Sequence, residues 1–162
     1  MKTWREIIDK YYPEGTALRD ILLRHSHGVA ELASEINSSF KQPLDPLCVE
    51  TAAMLHDVGI FLTHAPSIEC QGERPYICHG FLGADLLRSE GVAEEFAKVC
   101  ERHTGTGLTP DEIKLNNLPL PAERCYVPES RLEKLICYAD KFFSKSGDIT
   151  SEKPIEKVIL SL

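Results

Sequence analysis

Between Thr16 and Phe40 apolar side chains return at steps of three and four: Leu18, Ile21, Leu22, Val29, Leu32, Ala33 and Ile36. That is the period of a helix with one buried face. His25 falls on the same stripe, so a polar ring able to bind a metal is expected inside. The pattern recurs along the chain. Trp4, Ile7, Ile8 and Tyr11 share a face; so do Leu82, Leu86 and Leu87; so do Phe96, Val99, Cys100 and His103; and so do Leu132, Leu135, Ile136, Ala139 and Phe143. Nowhere does β-branched alternation persist beyond a few residues. The predicted fold class is all-α, a single-domain helical bundle spanning residues 1–162.

Start and stop signals divide these stretches. Asp45 and Pro46 read as an N-cap and first helical residue for a helix over Leu47 to Asp57, and Thr109-Pro110-Asp111-Glu112 is a complete helix start. Pro13 to Gly15 closes the first helix, Gly91 the one over Phe81 to Ser89, and Thr104 to Gly107 the one over Val92 to His103. The last strong helix begins at Ser130, and Pro154 to Leu162 is a final helical candidate. Residues 59–77 carry Pro66, Gly72 and Pro75 among scattered polar residues. A segment that long beside a site is expected to be a lid or binding loop, with His64 a loop histidine.

At 162 residues the chain is long enough to bury a core without staples. Its net charge is −7 and its pI near 5.4, and no Lys/Arg block stands out. That argues against an electrostatic footprint for duplex nucleic acid. Six cysteines occur without a Cys-x-x-Cys pair, no signal peptide precedes them, and no run of 18 apolar residues exists. The expectation is a cytoplasmic protein with reduced thiols and no membrane association.

The stretch Ala52-Ala53-Met54-Leu55-His56-Asp57-Val58-Gly59 delivers a histidine and an aspartate at the end of an apolar, helix-favouring run, with a glycine where the chain turns away. Neighbours on a helix point about 100° apart, so the pair is suited to grip two sides of a bound ion. His25, His79, His103 and Asp140 likewise stand at the ends or inner faces of successive helices. His27 faces elsewhere and is the fallback for His25. Imidazole and carboxylate without thiolate favour Fe, Mn, Zn, Co or Ni. The six residues suffice for two ions, with Asp57 as the bridge.

The ordered series His25, His56-Asp57, His79, His103, Asp140 resembles the HD-domain metal-dependent phosphohydrolase superfamily. The local contexts His25-Ser26-His27-Gly28-Val29-Ala30, Leu55-His56-Asp57-Val58-Gly59, His79-Gly80-Phe81-Leu82-Gly83-Ala84 and Glu101-Arg102-His103 agree with it over roughly residues 17–144. The resemblance implies an HD-type helical bundle whose His25, His56, Asp57 and Asp140 hold one divalent ion. Asp57, His79 and His103 would hold the other. Iron is the foremost candidate, with manganese, cobalt, nickel and zinc as alternatives. It further implies hydrolysis of a small phosphoester or phosphoanhydride, a nucleotide foremost, with Asp57 and His56 at the reacting centre, and it leaves room for a homodimer. Many hydrolytic relatives carry a lysine or arginine just after the signature, where this chain has Ile60 and Phe61. Arg74, Arg102, Lys141 and Lys145 are the candidates to replace it as phosphate contacts. Two other readings stay open: a mixed-valence di-iron oxygenase on the same ligands, and a non-catalytic domain that binds metal or nucleotide.

Overall fold

The computed structural model describes residues 2–149 and 151–161. Helix α1 (Trp4–Tyr11) opens with a reciprocal cap, in which Thr3 accepts from the Glu6 amide and the Glu6 carboxylate accepts from the Thr3 amide. It buries Trp4, Ile7 and Ile8. Helix α2 (Ala17–Ser38) is capped by Thr16 and buries Leu22, His25, Val29 and Ala33, as its period requires. Helix α3 (Pro46–Leu55) starts where Asp45 accepts from the Leu47 amide. Val49, Ala52, Ala53, Met54 and Leu55 are all essentially inaccessible, so α3 is the central rod of the bundle. It ends one residue before His56, which serves as its C-cap.

Helices α4 (His79–Ser89), α5 (Glu94–Arg102), α6 (Pro110–Leu115), α7 (Arg131–Asp140) and α8 (Ile155–Leu160) complete the helical set among the described residues. Helix α4 begins at His79 itself, two residues earlier than its apolar pattern suggests. Helix α2 lies on α3 and α7, α4 lies on α5, and α3 and α5 also touch α7. One apolar core runs through these five helices and α1. A smaller cluster of Cys78, Phe81, Ile113, Leu120 and Tyr126 sits under α6 and the proline-rich stretch beyond it. The final helical candidate is present as α8, anchored by buried Val158; its predicted last residue, Leu162, lies outside the described residues.

The all-α expectation needs correction in residues 59–77. This stretch holds three short strands, β1 (Thr63–Ala65), β2 (Cys70–Gln71) and β3 (Arg74–Pro75), in the order β2-β1-β3. Strand β1 pairs antiparallel with β2 (His64 with Gln71) and parallel with β3 (Thr63 with Arg74). Between and around them run 3₁₀ turns at Ile60–Leu62, Pro66–Ile68 and Tyr76–Cys78. Two- and three-residue strands are too short to show a period of two, so no alternation marks them in the sequence. The domain is mostly helical with this small sheet as an insertion.

Gly59 also has a different purpose from the one its position suggests. Its φ of −86° is open to any residue, so it is not needed for a turn. A Cβ there would lie 2.2 Å from the His79 carbonyl oxygen and 2.5 Å from the Gly83 nitrogen. The missing side chain lets the first turns of α4 press against the end of α3, which brings His79 to Asp57. Gly91, at φ +71°, is by contrast a true helix stop: the left-handed residue that ends α4.

Candidate metal centre

Five elements converge on one buried point. His25 comes from the middle of α2, His56 and Asp57 from the turn after α3, His79 from the first residue of α4, His103 from the C-cap of α5 and Asp140 from the last residue of α7. Three helices therefore direct their C-terminal ends here. The partial negative charge of unsatisfied terminal carbonyls favours a cation at such a place. His25, His56 and Asp57 are completely inaccessible to solvent, and His79 and His103 nearly so.

The ligating atoms fall into two groups. In the first, Nε2 of His25 lies 2.9 Å from Oδ1 of Asp140 and 3.2 Å from Oδ2 of Asp57. Nε2 of His56 lies 3.0 Å from Oδ2 of Asp57, 3.3 Å from Oδ1 of Asp140 and 3.3 Å from Nε2 of His25. In the second, Nε2 atoms of His79 and His103 are 3.1 Å apart, and each is 3.3–3.4 Å from Oδ1 of Asp57. Asp57 thus turns one oxygen to each group. His56 and Asp57, although adjacent on the chain, meet at the same point in the first group.

These contacts make sense around cations. Nδ1 of His56, His79 and His103 each donates to a carbonyl three residues back, at Ala53 (2.6 Å), Tyr76 (2.6 Å) and Cys100 (2.8 Å). A neutral ring that donates through Nδ1 presents a bare lone pair at Nε2. Two such lone pairs, on His79 and His103, face each other, and neither oxygen of inaccessible Asp57 receives a well-aligned hydrogen bond. Left so, the two rings would repel and Oδ1 of Asp57 would go unsatisfied. Donors about 2.0–2.2 Å from a shared metal are themselves ~3 Å apart, which is the spacing observed. The donor set fits divalent iron, manganese, cobalt, nickel or zinc.

The electrostatics agree. Burial alone would disfavour the charged form of His56, but the Asp57 and Asp140 carboxylates outweigh it and push its pKa up to about 9. Burial would raise both carboxylates, yet His56 and Lys145 hold Asp57 well below the usual range, and Lys141 does the same for Asp140. Burial pushes His79 down to about 3 and lowers His103 as well. The first group draws positive charge; the second keeps neutral rings with free lone pairs.

The basic candidates separate. Lys145 places Nζ 2.6 Å from Oδ2 of Asp57. Lys141 places Nζ 2.9 Å from Oδ2 of Asp140 and donates to the His103 carbonyl at 3.0 Å. Arg102 points away, its guanidinium held by Glu129 at 2.8 Å and Glu133 at 3.0 Å. Arg74 is exposed on β3, 5.8 Å from the centre of the Phe81 ring. His27 is exposed and sets its ring edge-on to Trp4, and His64 is exposed on β1. Ile60 is buried in the apolar core and Phe61 packs its ring against Tyr11 and Tyr12. Tyr76 is the neighbour that sequence reasoning missed. Its carbonyl anchors His79 and its ring stacks on the His79 imidazole, 4.6 Å between centroids. The signal was available: a residue three before a ligand histidine offers its carbonyl to Nδ1.

Fold and donor set together define a helical domain with a buried histidine–aspartate cluster suited to metal. In comparison with known proteins, residues 22–144 match the family model for the HD domain, and the chain belongs to that family. It is similar to two tRNA (cytidine(56)-2'-O)-methyltransferases, 29% identical to that of Picrophilus torridus and 34% to that of Thermoplasma volcanium over 85% of this chain. The chain spans only 36% and 35% of their lengths. An uncharacterized protein of Methanocaldococcus jannaschii is 30% identical over 84% of this chain and 74% of its own. Among solved structures, the HD domain of the L. monocytogenes phosphodiesterase PgpH, in complex with cyclic-di-AMP, superposes with a TM-score of 0.62. It is 18% identical, and the match covers 98% of this chain and 81% of that one. Among the described residues no helix is long and apolar enough to cross a membrane.

Proposed function

We propose that this chain is a metal-dependent phosphohydrolase acting on a small phosphorylated substrate, a nucleotide foremost, through a dinuclear centre. His25, His56, Asp57 and Asp140 would hold one divalent ion, iron or manganese in the first instance, and Asp57, His79 and His103 the other. The observation that carries this reading is the division of Asp57, one oxygen to each group of nitrogen donors. Bound there, a pair of divalent ions supplies hydroxide near neutral pH and offsets charge on a phosphoryl group. The chain's own residues do the rest. The carbonyls of Ala53, Tyr76 and Cys100 keep three imidazoles in one tautomer and orientation. Lys145 and Lys141, at the rim by α7, bring positive charge toward an incoming phosphate. They take the part that the buried Ile60 leaves open.

One comparison supports a phosphoester substrate of nucleotide type: a domain of the same fold is a phosphodiesterase solved with a cyclic dinucleotide. The net charge of −7 favours small substrates over polyanions. The test is phosphate release from a nucleotide panel by protein loaded with Fe, Mn, Co or Ni in turn. Turnover in the wild type and its loss in His56→Ala are expected. No release with any metal, while the protein holds its ions, would overturn the reading. Oxygen uptake by the iron-loaded form would move it to the oxygenase class.

A further inference from the structure

The centre is sealed on most sides. The side chains of His25, His56 and Asp57 are at most 1% exposed, whereas those of Asp140, Lys141 and Lys145 are 12%, 15% and 14% exposed. The flank at the C-terminal end of α7 is therefore where a substrate can approach. A cavity of about 270 Å³ opens there, lined by Ala65, Ser67, Ile68, Tyr76, Ser144, Lys145 and Ser146. Its inner wall is made by the two residues that touch both ligand groups: Lys145 meets Asp57, and Tyr76 stacks on His79. The outer walls carry three serine hydroxyls, from the 3₁₀ turn at Pro66–Ile68 and from the segment after α7. A second cavity beside Lys141 lies between α7 and α8, about 210 Å³ in volume, lined by Cys137, Phe142, Val158 and Ile159 among others. It is too apolar to hold a phosphate or a sugar.

We infer that the Tyr76–Lys145 cavity selects a compact, hydroxylated phosphomonoester: Tyr76 and Lys145 bind the phosphate, and Ser67, Ser144 and Ser146 bind the hydroxyls of the group that carries it. The inference rests on the phosphohydrolase reading and narrows its substrate class. The chemistry follows from the lining. A cation and a phenol are donors to phosphate oxygens, and serine hydroxyls both donate to and accept from a polyol. The volume lies just below the ~300–1,000 Å³ of sites for drug-sized ligands. It suits one sugar phosphate unit rather than the two of a cyclic dinucleotide. Ile68 and Ala65 add a small apolar surface to the cavity.

Calorimetric titration of metal-loaded protein tests this, with metal content measured in every sample. The probes are ribose 5-phosphate, adenosine 5′-monophosphate and cyclic-di-AMP. Both monoesters should bind the wild type and cyclic-di-AMP should not. Equal affinities would identify the sugar phosphate as the recognised unit; tighter binding of the mononucleotide would add a base contact at the cavity mouth. Tyr76→Phe keeps the ring and the carbonyl that hold His79, and should weaken each monoester about tenfold, one hydrogen bond's worth. Ser144→Ala should do the same. Ser67→Trp adds bulk at an exposed position and should abolish binding while metal content stays at the wild-type value. Wild-type affinity in Ser67→Trp and Tyr76→Phe, or binding of cyclic-di-AMP as tight as that of the monoesters, would overturn the inference. The two readings fail differently. Hydrolysis of a mononucleotide at wild-type KM by Ser67→Trp sinks the cavity alone. Monoester binding that Ser67→Trp abolishes, with no turnover in the wild type, sinks the hydrolase alone.

Discussion

Arg102 and Lys145 show how little a charged residue's neighbourhood in sequence says about its neighbourhood in space. Arg102 stands beside His103, yet its guanidinium is 9% exposed and closed off by Glu133, itself 5% exposed, and by Glu129. Lys145 is five residues past Asp140 and reaches Asp57. Removing one partner of a buried pair leaves the other charge unpaired, at a cost on the order of 3 kcal/mol. Arg102→Met should therefore lower stability in urea denaturation by about that amount while KM for the substrate stays within twofold. A large KM effect with unchanged stability would make Arg102 a substrate contact after all. The ligand residues were legible because each stands at a helix end or on a buried stripe, as His25 does. Tyr76 was legible only through its place three residues before His79; its stacking contact carries no residue-type signature.

Among the elements, α4 is the one whose placement matters most, since it carries His79 and must sit against the turn after α3. Gly59 and Gly83 face each other across that contact, and a Cβ on Gly59 would meet backbone atoms at 2.2–2.5 Å. Overpacking of a close contact costs about 1–3 kcal/mol. Gly59→Ala should lose at least that in chemical denaturation, and its metal content should fall as His79 is displaced. The far end of α4 is tied to α1 by Glu90, which receives bonds from Lys10 at 2.5 Å and from Lys2 and Tyr11. These partners lower its pKa from 4.5 to about 2. A carboxylate with a depressed folded pKa stabilises above its unfolded value and loses that contribution as pH falls through the folded one. The stability gap between wild type and Glu90→Gln should thus be constant above pH 5 and close between pH 4.5 and 2, followed by urea midpoints. A gap independent of pH would show that the Glu90 ion pairs contribute nothing. Helices were readable from their 3.6-residue period and their caps at Asp45 and Thr109, whereas the strands of residues 59–77 were hidden by their brevity.

For the whole molecule, α3 and four further helices, α2, α4, α5 and α7, bring ligands from positions 25 to 140 to one point, so metal binding and folding are coupled. Ligands that bind only the folded state stabilise it by about 2.7 kcal/mol at a hundredfold excess over Kd. Chelation should accordingly lower the thermal midpoint, and divalent metal should restore it; an unchanged midpoint would separate the centre from stability. The ordered ligand series was legible because its members stand on or at the end of five different helices, with His56 and Asp57 adjacent after α3. What was not legible is how Asp57 is divided: the sequence marks it as a candidate bridge, but only the fold places His79 and His103 on its second oxygen. That division is tested most directly by elemental analysis of purified, metal-saturated wild type, Asp57→Ala and His79→Ala. The predicted result is two ions per chain in the wild type, one in His79→Ala and none held stably in Asp57→Ala. Two ions retained in Asp57→Ala, or one at most in the wild type, would contradict a shared, bridging Asp57.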